Sequence, residues 1–328
     1  MLRWVISGFF LSLPVGTTIG VLMGLQALNR ATGKPPPMYS DDRTGGLPGI
    51  GIIEPDSVKM SCDTAEGVYS KALDGLDFSL SANPWGWKKG DAGHICMMVN
   101  LNGNHTYETA GSAPPFNVTW QYPRALGTKN VHAFANAKVM SPDFPAKLGS
   151  LKKLDLGVSW FMSLQNDSST RLSDDDKTIA ENQINANVAV DMFMDKDPAK
   201  AGKPEEASHE IMVWLARFGT DTFPIGKKTV IDKGLKTVTI RGTDFNLYSG
   251  QNVVTKQRVL TWVAEEPVKS FNGSFVPLLD EIFAFNDADY PTKDDYLGYF
   301  AFGQEAYSSL KNVTFAVPNL IVDLEVSS

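Results

Sequence analysis

The chain has 328 residues, 30 Lys and Arg against 37 Asp and Glu for a formal charge of -7, 43% hydrophobic residues, 20% charged residues and 2 Cys. These proportions belong to a folded globular protein and exclude wholesale disorder, while an acidic balance without any Lys/Arg block argues against a nucleic-acid surface. Two cysteines exclude a disulfide-scaffold miniprotein and a four-thiolate zinc site but leave room for one bridge.

The first thirty residues differ from the rest. Between Arg3 and Arg30 the run from Trp4 to Asn29 carries no charged side chain. A signal-peptide core is about 7–15 residues and a membrane span about 20, so this length favours an uncleaved signal-anchor over residues 1–30. A cleaved signal, with Thr18-Ile19-Gly20 as the small-residue site, is the alternative. Either reading sends the chain into the secretory pathway, to be secreted or held at the membrane by its N-terminal segment. Residues 31–60 follow as a Pro/Gly-rich linker whose triple proline at 35–37 makes it locally stiff.

Five Asn-x-Ser/Thr triplets, at Asn104, Asn117, Asn166, Asn272 and Asn312, agree with an exported, glycosylated domain. In that oxidising setting Cys62 and Cys96 are expected to be bridged; two buried thiols are the alternative.

From 61 to 328 the pattern is short strands separated by turns. Runs rich in β-branched and aromatic residues occupy 94–101, 184–194, 209–218, 236–242, 257–266, 296–308 and 313–326. Only FVPLLDEIFAFN (275–286) reads as a helix; LKKLDLG is too short to count, and the charges of QNDSSTRLSDDDKTIAENQ suggest a solvated loop. Many strands, one helix and no βαβ alternation predict an all-β domain, a two-sheet sandwich or jelly roll. Nothing signals an oligomer, so a monomer is expected.

Three of these strands carry an isolated acid. In HEIMVWLARFG, alternation puts Glu210, Met212, Trp214 and Ala216 on one face and the core-like His209, Ile211, Val213 and Leu215 on the other. In YLGYFAFGQEAYSS, Glu305 is the only charge between Tyr296 and Lys311, on a face with Tyr299, Ala301, Gly303 and Tyr307. Asp191 lies mid-strand in NVAVDMF. A carboxylate in an apolar strand is costly without a partner or a task. A pair of carboxylates across a carbohydrate cleft is what glycoside hydrolysis requires, and Trp85, Trp120 and Trp214 offer flat surfaces for sugar rings.

These residues carry a resemblance. HEIMVWLARFG followed by PIG (224–226) resembles the nucleophile strand of glycoside hydrolase family 12, and FGQEAYSS (302–309) its acid/base strand. NANVAVDMF, FNLYSGQN (245–252), SANPWGW (81–87) and TWQYPR are similar to four further segments of that family, in order, and Cys62 and Cys96 flank SANPWGW as the family's disulfide flanks its counterpart. The resemblance implies a β-jelly-roll of two antiparallel sheets with a concave cleft. It also implies retaining endo-hydrolysis of β-1,4-glucans, with xyloglucan as the alternative polymer and no metal or cofactor.

Position by position, the resemblance makes Glu210 the nucleophile, Glu305 the acid/base and Asp191 the carboxylate that supports Glu210. It places Asn83, Trp85 and Trp120 at glycone-side subsites, with Tyr122 in the place of a second Trp. Met212 would lie against the nucleophile, Trp214 on the same face, and Pro224 and Gly226 on a loop beside the cleft. Two departures stand out: His209 in place of a Tyr beside the nucleophile and Gln304 in place of Thr or Ser before the acid/base. A non-catalytic glucan-binding protein of the same fold is the competing class; a recognition protein that uses the fold only as scaffold is another.

Overall fold

The computed structural model describes residues 58–70, 75–101, 111–124, 131–164, 176–227 and 233–327. The apolar N-terminal run, most of the linker, Asn104 and Asn166 lie outside them. Among the described residues, sixteen strands form two sheets.

The six-stranded sheet has the order β1 (Val58–Cys62), β4 (His94–Asn100), β5 (Phe116–Gln121), β16 (Val313–Val326), β8 (Leu151–Leu164) and β14 (Ser270–Ser274). The larger sheet runs β11 (Thr237–Ile240), β12 (Thr243–Gln251), β13 (Arg258–Ala264), β10 (His209–Phe218), β9 (Asn185–Asp195), β15 (Tyr296–Ser308), β6 (Ala133–Met140), β3 (Asp77–Ser81) and β2 (Val68–Ser70). A short β7 (Ala146–Lys147) pairs with β15. Every pairing between these strands is antiparallel except β10 with β13, which is parallel, so the all-antiparallel expectation needs that one correction.

Alternation explains the sandwich. On β9, Ala186, Val188, Val190, Met192 and Met194 point into the core between the sheets, where they meet β5 and β16 residues such as Trp120 and Phe315. The opposite face of β9 is also buried, which an antiparallel sheet open to water on that side would not show. Something therefore covers the second face.

The expected strands at 209–218, 296–308 and 313–326 match their observed bounds. LKKLDLG opens the 14-residue strand β8. The expected helix is α3 (Val276–Ala284), whose Leu278, Leu279 and Ile282 join the core. Two shorter helices, α1 (Asp176–Glu181) and α2 (Pro198–Ala201), add to it, and α1 ends the charged stretch read as loop. Cys62 and Cys96 are bridged, opposite each other in the β1–β4 ladder, and β1 already begins at Val58 within the stretch read as linker.

Candidate active site

The three acids stand on three adjacent strands, on the face of the larger sheet turned away from the core. Asp191 on β9 is opposite Met212 on β10 and Ala301 on β15; Glu210 is opposite Phe193, and Glu305 is opposite Asn187. Two apolar groups flank them on this face. Phe134, Phe193, Ala207, Tyr299 and Ala301 form one; Met212, Trp214, Tyr248, Val259, Val263 and Ala189 form the other, capped by Ile225. These clusters are what buries the second face of β9; Asp191 is buried beneath them, while Glu210 and Glu305 are half-buried beside it.

The cost of that surround appears in the acids themselves. Burial, then the charges of Glu210 and Glu305, pushes Asp191 well above the usual carboxylate range. Burial and then the Glu305 charge push Glu210 up, against a hydrogen bond from Asp191 that pulls it down. The same hydrogen bond raises Asp191, so of the two acids Asp191 is the one favoured to keep its proton. The Asp191 Oδ1 atom is buried with no hydrogen-bond partner among the described residues.

Glu305 is also raised by burial, offset by two donors. Its Oε2 accepts from Asn187 Nδ2 and, at 3.1 Å, from the Tyr307 hydroxyl. The Glu305 backbone N–H donates back to Asn187 Oδ1 at 3.1 Å, so one asparagine fixes both backbone and side chain. Burial and Glu305 hold the Tyr307 hydroxyl far above its ordinary value, which keeps it a donor. Three acids that cannot all ionise together, with separate hydrogen-bond environments, are the arrangement that divides nucleophile from proton donor.

The remaining expected site residues divide. Trp85 is 61% exposed, on a turn tied to β6 by the Phe134 N–H donating to the Asn83 carbonyl at 3.1 Å; Asn83 itself is half-buried with φ 40°. Met212 is buried on the cleft face. Pro224 is buried, and Gly226, at φ +95°, lies so close to the Ser249 carbonyl that a Cβ would clash. Trp120 and Tyr122 are corrections: both are fully buried on the core side of β5 and the chain after it, so neither offers a face to a sugar. Trp120 Nε1 donates to Gln304 Oε1 at 2.7 Å, and Tyr122 stacks on His132 at 4.6 Å. Gln304 is thus an internal partner to Trp120 across the core. Trp214 is on the expected face but only 1% exposed, beneath Ile225, with its Nε1 donating to Met212 Sδ at 3.3 Å. A bulge after Trp214 turns Ala216 into the core beside Leu215, contrary to simple alternation. Asn187 and Tyr307 were missed as partners of Glu305. Their signals were a polar residue four before Asp191 and a phenol two after Glu305 on the same face.

Comparison with known proteins agrees with this geometry. A family model described as Glycosyl hydrolase family 12 matches residues 76–325. The chain is 28% identical over 250 residues to a probable xyloglucan-specific endo-beta-1,4-glucanase A of Neosartorya fischeri, covering 76% of this chain and 86% of that one. It is 24% identical over 245 residues to endoglucanase A of Aspergillus kawachii, covering 74% and 85%. Among solved structures it is similar to Trichoderma harzianum endoglucanase 3, with TM-score 0.60 and 23% identity over 82% of this chain and 98% of that one. A family 12 xyloglucanase from Bacillus licheniformis gives TM-score 0.58 and 15% identity over 81% and 100%.

Proposed function

The chain belongs to glycosyl hydrolase family 12 and is a glycoside hydrolase of the endo-β-1,4-glucanase type, and we propose that Glu210, Glu305 and Asp191 carry its reaction with retention of configuration. The observation that supports these roles is the split hydrogen-bonding of three raised carboxyls on one cleft face.

Glu305, protonated at rest, gives its proton to the glycosidic oxygen as the C1–O bond breaks. Burial and the Glu305 charge push Glu210 up to about 8, against the Asp191 hydrogen bond that draws it down; in its ionised form it attacks C1 and forms a glycosyl ester. The emptied Glu305 carboxylate then takes a proton from water, whose oxygen attacks C1 and releases Glu210.

The polymer is a β-1,4-linked glucan. Xyloglucan is the second reading, favoured by the names of relatives such as that of Neosartorya fischeri. The same reading holds that the protein works as an exported, N-glycosylated monomer, tethered if its apolar segment stays attached. The Cys62–Cys96 bridge and the exposed Asn272 on β14 support export; Asn117 is half-buried, and the Asn312 side-chain oxygen is buried.

Incubating the purified protein with carboxymethyl-cellulose, mixed-linkage β-glucan and xyloglucan tests the activity. New reducing ends are expected, with the β-anomer as first product by NMR. Folded protein that cleaves none of the three would sink the reading, and an α-product would exclude retention.

A further inference from the structure

Past Trp214 the β10 bulge changes which side chains reach the cleft. Ala216 and Phe218 enter the core, so Arg217 between them points to the cleft face, opposite Asn187. Asn187 is the residue that holds Glu305. A line across the strands therefore runs from the Asn83–Trp85 turn to Phe134, Glu305, Asn187 and Arg217. At its end Arg217 lies 5.5 Å from the centre of the Phe223 ring.

Phe223 is held outward by a loop that is pinned on both sides. The Asp221 N–H donates to Asn185 Oδ1 at 2.8 Å, and the Asp221 carboxylate pairs with Arg124 at 2.6 Å. The Thr222 hydroxyl donates to the Phe218 carbonyl at 2.7 Å, with Thr222 fully buried, and Pro224, on the other side of Phe223, is buried too. Between these anchors Phe223 remains 38% exposed. The loop thus holds an aromatic ring partly open to solvent beside the Arg217 guanidinium. Arg217 is half-buried and, among the described residues, has no carboxylate partner; its guanidinium offers five donors beside the ring.

We propose that Phe223 and Arg217 form a sugar-binding subsite on the leaving-group side of the acids, Phe223 stacking on a β-linked glucosyl ring and Arg217 donating to its hydroxyls. The inference rests on the glucanase reading. It places this pair across the acids from Trp85, which that reading assigns to the glycone side. A polymer laid across the strands meets Trp85 first, then the carboxyls, then Phe223.

A leaving-group subsite has a specific signature, because a substrate whose leaving group is not a sugar cannot use it. Phe223→Ala and Arg217→Gln should each lower kcat/KM on cellohexaose by about tenfold or more, and should reduce transfer of the glycosyl group to added cello-oligosaccharide acceptors. Both variants should stay within about twofold of the parent on β-cellobiosyl fluoride, which loses only fluoride. Phe223→Trp, which keeps the stacking face, should match the parent on cellohexaose. Should the alanine variant not fold, Phe223→Leu keeps the loop apolar without a stacking face and carries the same expectation. Unchanged cellohexaose kinetics, or an equal loss on the fluoride, would overturn the subsite. A parent protein that hydrolyses neither substrate would instead overturn the glucanase reading beneath it.

Discussion

Asp191 and Glu210 stand on neighbouring strands of one sheet face, and the hydrogen bond between them raises Asp191 while it draws Glu210 down. Glu210 gains a donor at its carboxylate, and that donor is the only influence drawing it down against burial and the Glu305 charge. The pair thus has unequal members, Asp191 buried and Glu210 half-buried.

Removing the donor should therefore raise Glu210. Asp191→Ala is expected to move the acidic limb of the kcat/KM profile to higher pH, since Glu210 must lose its proton to attack. Asp191→Asn retains an N–H donor at the same place and should keep the limb nearer its original position, with a smaller loss of rate. Measuring kcat/KM across pH on one soluble glucan checks both. If the limb does not move in the alanine variant, Asp191 does not set the Glu210 charge.

Glu210 and Glu305 should fail differently. Glu210→Gln removes the attacking oxygen and should leave less than about a hundredth of the activity on any substrate. Glu305→Ala should lose as much on a glucan, where the leaving oxygen needs a proton, yet keep much of its first step on β-cellobiosyl fluoride, where it does not. Time courses of fluoride release and of reducing ends separate the two. Equal loss on both substrates in the Glu305 variant would remove its assignment as proton donor.

Much of this arrangement could be read from residue order alone. Period-two alternation placed Glu210, Met212 and Trp214 on one face, and the isolated acids in apolar strands marked the cleft. Alternation assigns residues to faces but does not tell which face is covered. Trp120 and Tyr122 were expected at the cleft because a motif placed them there, yet β5 belongs to the other sheet and turns them into the core. The bulge at Trp214 likewise lacks a sequence mark, so Ala216 was placed on the cleft face and Arg217 was overlooked. Partners distant in sequence, such as Asn187 for Glu305 at 118 residues' separation, depend on strand register, which one chain alone does not reveal.

Gln304 and Trp120 form a buried cross-sheet bond, and it should be needed for stability rather than rate. Gln304→Leu leaves the Trp120 Nε1 donor unpaired in the core and should cost about 1–3 kcal/mol by urea unfolding. The double change Gln304→Leu with Trp120→Phe removes both polar partners and should recover part of that loss. The pH dependence of turnover should not change in either variant. A Gln304→Leu protein as stable as its parent would show that Trp120 finds another acceptor.

The three raised acids also fix how stability depends on pH. Each has a folded value above its ordinary one, 3.8 for Asp191 and 4.5 for Glu210 and Glu305. The folded state binds their protons more tightly than the unfolded chain does. This contribution is fully present below the ordinary carboxylate values and is lost as pH rises through the raised ones. Asp195 has the opposite sense: although burial alone would raise it, the Ser208 and Asp197 N–H donors hold it below its ordinary value. Its contribution is present above that value and lost as pH falls. Replacing Asp191 by Asn, which is neutral at every pH, should raise the thermal midpoint at about pH 7.5 and leave it nearly unchanged at about pH 3.5, where the native acid is already protonated. Replacing Asp195 by Asn should do the reverse at pH 7.5 and lower the midpoint, because there an ionised, hydrogen-bonded carboxylate is lost. Thermal unfolding of both variants at the two pH values reads the signs directly. A drop at pH 7.5 for Asp191→Asn would mean that the cluster is held together by charge it can afford, against the buried and mutually raised acids described above.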